Sequence, residues 1–108
     1  MSHIINLKDK LHSINKPWSP VDLLHANDQV IRMALIEGEY HWHKHVNEDE
    51  VFYVIKGQVI IQLKDQPDIF LKEGEMAVVP KGAEHCPISP CPSYILMIEP
   101  SVLKSKGD

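Results

Sequence analysis

The sequence predicts an all-β protein, a sandwich or small barrel formed as one domain. Three observations predict it. After Asn27 the apolar residues fall in short runs with period-two alternation, and Gly or Pro punctuates almost every gap between them. Only one segment, near the start, has helical spacing. The length of 108 residues, with 44% hydrophobic and 24% charged content, suffices for one compact core and is too short for two.

Taken in order, Asn6 is placed to cap a short helix through Leu7, Leu11 and Ile14, ended by Lys16-Pro17. Gln29 to Glu37 is rich in β-formers and stops at Gly38. Val51 to Ile55 is a strand ending at Lys56-Gly57, a hairpin signal, and Val59 to Leu63 returns from it. Asp65-Gln66-Pro67-Asp68 is a turn, followed by a short strand at Ile69-Phe70-Leu71. Lys72-Glu73-Gly74-Glu75 is another turn, Met76 to Val79 a strand, Pro80-Lys81-Gly82 a further turn, and Ser93 to Ile98 the last strand. Ser101 to Asp108 reads as a frayed tail. The organisation is therefore an arm over 1–28, a barrel over 29–100 and a tail over 101–108.

The most informative stretch is HWHKHVNEDEVFYVIKG, His41 to Gly57. Residues two apart on a strand share a face, so His41, His43 and His45 can converge, and Glu50 follows across a short connection. Were Val46 to Asp49 a hairpin loop, His45 would oppose Glu50 with Cβ atoms about 4.5–5.5 Å apart. Alternation then turns Phe52, Val54, Val59, Ile61 and Leu63 inward and Val51, Tyr53, Ile55 and Ile60 outward. That outer face is more apolar than a solvated sheet, and either the N-terminal arm or a second copy of the chain is expected to cover it.

With these positions fixed, the chain resembles the cupin superfamily, whose small single-domain members carry two motifs. Gly38, His43, His45, Glu50 and Gly57 match the first, and Gly74, Pro80, Gly82 and His85 in GEMAVVPKGAEHCPIS match the second. The match covers about half the chain, with two departures. Four residues, where five are usual, separate Gly38 from His43, and Ser89 stands where an asparagine usually closes the second motif. The resemblance implies a double-stranded β-helix, or jelly-roll barrel, with His43, His45, Glu50 and His85 as metal ligands.

Three imidazoles and a carboxylate suit a divalent transition metal (Mn, Fe, Co, Ni, Cu or Zn), and four ligands on an octahedral ion leave two positions for a bidentate oxygen ligand. The resemblance thus points to an enzyme acting on a small oxygen-rich metabolite, of dioxygenase, isomerase, lyase or decarboxylase type. A non-catalytic barrel binding a sugar or carboxylate, a metal-stabilised structural dimer, and a metal-free barrel with histidines at its mouth are the alternatives. His41 is the candidate catalytic residue, as an acid–base group, a fifth ligand or a donor to a ligand, against a half-exposed histidine at the rim. Tyr53 is a weaker candidate for moving a proton, since alternation turns it outward.

Other residues are given ordinary roles. Glu48 and Asp49 read as a solvated turn, and Cys86 as a buried inert thiol pointing away from the ligands. Trp18 and Trp42 are a carbohydrate platform or, the preferred reading, aromatics buried against the barrel or in a dimer contact. His3, His12 and His25 receive no role. Cys86 and Cys91 are expected to stay reduced in a chain with no export signal. The net charge of −4, with no run of Lys or Arg, argues against a nucleic-acid partner. No apolar run approaches the roughly 20 residues needed to span a bilayer, so a cytoplasmic homodimer with a small-molecule ligand is expected.

Overall fold

The computed structural model describes residues 4–108; His3 and the first part of the arm lie outside them. The helix α1 is Leu7–Ser13, with Asn6 Oδ1 accepting the Asp9 N–H at 2.9 Å. Seven strands follow: β1 Val21–Ala26, β2 Gln29–Glu39, β3 Glu50–Lys56, β4 Gln58–Leu63, β5 Gln66–Lys72, β6 Met76–Val79 and β7 His85–Pro100. All pairings between them are antiparallel. They form a double-stranded β-helix: β1-β2-β7-β3-β6 along one path, with β4 and β5 joined to it through β7.

Strand β1 belongs to a stretch that the sequence suggested was arm. It returns into β2 through Asn27-Asp28, where Asn27 takes φ 55°, a left-handed conformation that Asn tolerates. A bulge between Asp22 and Leu24 leaves Leu23 without a partner on β2, with Leu23 half-buried and Leu24 exposed, so two adjacent leucines interrupt the period-two signal in the sequence.

Lys56-Gly57 is not a hairpin. Strand β3 pairs with β6 and β7, and β4 with β5 and β7, so Gly57 carries the chain around a corner from one sheet to the other. Its φ is 91°, and a Cβ at this position would run into the Ser93 side chain, so only glycine fits. The corner shifts the alternation by one residue, as a two-residue turn would have done. Phe52, Val54, Val59 and Ile61 are accordingly buried together with Ala34, Ile36, Ile95 and Met97 in the main core.

Strand β7 is far longer than the Ser93 to Ile98 segment expected. Its first part pairs with β4, from His85 opposite Leu63 to Ile88 opposite Ile60, and its second with β2 and β3. Of the prolines in the first part, Pro87 pairs opposite Ile61, while Pro90 and Pro92 sit in the irregularity between Ser89 and Ser93 where β7 passes between sheets. Ser89 occupies the position where the family motif closes with an asparagine. Its hydroxyl contacts the Gln58 carbonyl at 3.1 Å, the Cys91 carbonyl, and Ser93 Oγ at 2.9 Å, so local hydrogen bonding survives the substitution.

The tail is docked, not frayed. Leu103 is only 3% exposed, and Arg32 donates to the carbonyls of Leu103 at 3.2 Å and Ser101 at 3.3 Å. On the outer face, Ile14 and Leu11 pack with Met33, Leu35, Ile55, Tyr94 and Leu96, so the arm covers one part of the apolar sheet. Met76 and Val78 on β6 stay 60% and 51% exposed, and Phe70 on β5 67%. Cys86 and Cys91 are free thiols. Among the described residues no helix is long and apolar enough to cross a membrane.

Candidate metal centre

Two of the four motif residues open strands and two lie on a connecting loop. Glu50 opens β3 opposite Val79, and His85 opens β7. His43 and His45 lie on the connection between β2 and β3, and this connection does not hairpin with β3. Instead His43 pairs with His85: His43 N donates to the His85 carbonyl at 3.0 Å, and His85 N to the His43 carbonyl at 2.9 Å. Gly82 N donates to the His45 carbonyl at 2.8 Å, and Lys81 N to Asp49 Oδ1 at 2.8 Å. Asp49, expected to be solvated, thus ties the two motif loops together.

This framework brings His43, His45, Glu50 and His85 together with one ligand atom from each lying within 4.8 Å of the others. His45, Glu50 and His85 are buried and His43 half-buried. The backbone fixes two of the tautomers. His43 Nδ1 is 2.9 Å from the His41 carbonyl and His85 Nδ1 is 2.9 Å from the Ala83 carbonyl; a carbonyl only accepts, so both Nδ1 atoms carry the proton. In the neutral rings Nε2 is then a bare lone pair.

The chemistry of this donor set calls for a cation. Glu50 Oε1 lies 3.5 Å from both His45 Nε2 and His85 Nε2, and none of these three buried atoms has a hydrogen-bond partner. A carboxylate oxygen facing bare imidazole nitrogens in a buried site is costly unless a proton or a metal ion lies between them. Burial pushes His43 down to about 4, against the pull of the His41 carbonyl, so this ring is neutral at pH 7 and able to donate a lone pair. Burial would raise Glu50, but His45 and His85 outweigh it and hold the carboxyl well below the usual carboxylate range. The residues present therefore suit a divalent transition ion.

Two charged groups that the sequence analysis missed stand behind Glu50. Glu99 is fully buried, and burial together with neighbouring Glu50 pushes its carboxyl up. Arg32 Nη1 is 2.5 Å from Glu99 Oε2, and Arg32 Nε donates to Asp22 Oδ1 at 2.8 Å. Alternation gives the signal for Glu99, since it follows inward-facing Ile95 and Met97 at the same parity.

His41 lies outside the four-residue cluster. Its Nε2 is 2.9 Å from the Lys106 carbonyl, and its ring packs on Tyr40 with centroids 4.0 Å apart and lies 5.2 Å from that of His43. Tyr53 is half-buried on β3 with the outward parity expected. Trp42 is exposed, whereas Trp18 is half-buried and packs against the main core. A small recess with a free volume of about 40 Å³, open at its mouth, is lined by His43 and Glu50 together with Phe52, Ile95, Met97, Trp18, Tyr40 and Ser105.

With fold and site in place, comparison with known proteins assigns the class. Residues 31–99 match the Cupin domain family, and the chain belongs to that family. It is 33% identical over 85 residues to the Bacillus subtilis (strain 168) protein named Uncharacterized protein YdbB, covering 79% of this chain and 75% of that one. A crystal structure of a cupin-2 domain containing protein from Shewanella frigidimarina superposes with TM-score 0.86 at 42% identity, covering 90% of this chain and 94% of its own. Protein NMB1881 from Neisseria meningitidis gives TM-score 0.84 at 32% identity, covering 92% and 100%.

Proposed function

We propose that this cupin is a metal-dependent enzyme acting on a small metabolite, with His43, His45, Glu50 and His85 holding one divalent transition ion. The observation that carries the reading is the convergence of buried, unpartnered Glu50 Oε1, His45 Nε2 and His85 Nε2. When bound, the ion would polarise an oxygen donor of the substrate as a Lewis acid. The chain's own residues do the rest. The carbonyls of His41 and Ala83 hold the rings of His43 and His85 in one tautomer, and Ala34, Ile36, Phe52, Ile95 and Met97 give the recess apolar walls. His41 is the proton-moving candidate at the rim, and it serves only where its Nε2–H leaves the Lys106 carbonyl.

The test is elemental analysis of protein purified without added metal, beside His85→Ala. Near-stoichiometric transition metal in the wild type and its loss in the variant support the reading. A folded protein that holds no metal, and takes up none on dialysis against Mn, Fe, Co, Ni, Cu or Zn, overturns it.

Exposed Met76 and Val78, next to half-buried Val51 and Tyr53 on β3, leave part of the outer sheet without a cover. We assign this surface to a second copy of the chain, in a homodimer that leaves the recess free for a small-molecule ligand.

A further inference from the structure

The recess beside the four clustered residues is small. Its free volume of about 40 Å³ takes a few water molecules, each needing about 10–15 Å³, and falls far short of the roughly 300 Å³ at which metabolite pockets begin. A ligand fits against His43 and Glu50 only if a wall gives way.

Nearly every wall is pinned. Ala34, Ile36, Phe52, Ile95 and Met97 belong to paired strands and to the main core. Trp18 holds φ 58°, a left-handed conformation costly for a bulky residue and kept because the surroundings fix it. Its backbone N–H donates to the Leu35 carbonyl at 2.9 Å and its indole N–H to the Glu37 carbonyl at 2.9 Å. Its ring stacks on Tyr40 with centroids 4.7 Å apart, and Tyr40 N donates to the Pro87 carbonyl at 3.0 Å.

The exception is Ser105, which lines the recess from the tail. The last buried side chain of the tail is Leu103; Lys104, Lys106 and Asp108 are exposed, and Ser105 and Gly107 half-buried. Gly107 N donates to the Lys104 carbonyl at 2.8 Å, so this stretch is one closed turn that moves as a unit. Three polar contacts hold it to the histidine loop: His41 Nε2 to the Lys106 carbonyl at 2.9 Å, Asp108 N to the Lys44 carbonyl at 3.0 Å, and Val46 N to Asp108 Oδ2 at 2.7 Å. His41, Lys44, Val46, Lys106 and Asp108 are all exposed, so water replaces these bonds at little cost.

We propose that residues 104–108 are a strap that swings about Lys104 to open the recess, while the loop beneath it stays in place. The loop cannot follow, because His43 is paired with His85 through both backbones and the His45 carbonyl accepts from Gly82 N at 2.8 Å. The same swing releases His41 Nε2–H from the Lys106 carbonyl, so ligand entry and the freeing of the rim histidine are one event. That the entrant is a metabolite rests on the function proposed above; the strap itself needs no metal.

Gly107 supplies the means to prop the strap open. Its φ is 91°, and a Cβ there would lie 2.6 Å from His43 Cβ, an atom too close to its own backbone to yield, so Gly107→Val lifts the strap. Trp42→Phe leaves Trp18, in the recess wall, as the only tryptophan. In metal-free protein of that background, acrylamide is expected to quench Trp18 fluorescence at least about twofold more efficiently with Gly107→Val, or with residues 104–108 deleted, than with the strap intact. In cobalt-loaded protein, stopped-flow mixing with tropolone, a bidentate oxygen ligand, is expected to show association at least about tenfold slower with the strap intact than with either change. Equal quenching, or equal association rates, overturns the strap and leaves the metal reading standing. Failure to take up cobalt removes the metal reading alone, and the quenching comparison then decides. The truncation keeps Leu103 and its bond from Arg32, so it serves even if Gly107→Val folds poorly.

Discussion

His43 and His85 are joined through their backbones, each amide donating to the other's carbonyl at 3.0 and 2.9 Å. The two motifs, far apart in the chain, are thereby locked in register before any side chain is considered. Both rings then leave a fixed backbone with Nδ1 bonded to a carbonyl two residues earlier, at His41 and Ala83. Their Nε2 atoms need little side-chain ordering to act together.

Removing one ligand should therefore abolish tight metal binding without collapsing the barrel. His85→Ala and Glu50→Gln are each expected to weaken binding by at least about a hundredfold, measured by competition with a chromophoric chelator. Circular dichroism should retain the β spectrum.

Acid should weaken the metal-free protein through His43. Burial lowers this ring to about 4 in the folded protein, against an ordinary 6.5. Between those values the unfolded chain takes up a proton that the folded protein refuses, so this contribution is fully present above pH 6.5 and falls away as pH drops to about 4. For a half-buried ring the loss is about 1–2 kcal/mol. Urea titrations at pH 7 and 4.5 should show it, and His43→Phe should shrink the difference.

The ion pair behind the site should be hard to break from one side. Arg32→Ala removes the donor that Glu99, Asp22 and the carbonyls of Ser101 and Leu103 share, at a cost of about 2–3 kcal/mol in urea unfolding. Glu99→Gln keeps the shape and removes a carboxyl that burial and Glu50 already push toward its neutral form, so it should cost about 1 kcal/mol or less.

The tail closes over the histidine loop. Besides the bond from His41 to the Lys106 carbonyl, Asp108 N donates to the Lys44 carbonyl at 3.0 Å and Val46 N to Asp108 Oδ2 at 2.7 Å. Gly107 packs so closely on His43 that a Cβ there would come within 2.6 Å of the His43 Cβ. Deleting residues 104–108 should speed metal release to a chelator about tenfold, the worth of one or two of these bonds.

If Met76 and Val78 meet a second copy, Val78→Lys should convert a dimer to a monomer. Light scattering at micromolar concentration checks it, and a wild-type monomer refutes the assignment.

What the sequence could tell differed from residue to residue. Phe52, Val54, Val59 and Ile61 were assignable to the core because alternation depends only on the local pleat. The partners of β3 and β4 were not, because Gly57 at a corner and Gly57 in a hairpin leave the same trace; only packing against Ser93 distinguishes them. The four clustered side chains were legible from motif spacing, whereas Arg32 and Ser105 are brought close from distant segments and carry no local sign. Trp18 was noticed as an aromatic, but its strained backbone and its bond to Glu37 belong to tertiary structure.

Strand β7 pairs with β4 at its start and with β2 and β3 beyond its irregular middle, and its first residue is His85. The barrel cannot shut until this strand is threaded along both sheets, and the same event delivers the last histidine to its companions. An unfolded chain accordingly offers an ion no ready-made cage, and whatever free energy the ion releases on binding goes straight into keeping the barrel shut. Heating the protein with and without its metal would then read the strength of the site as a difference between two melting temperatures.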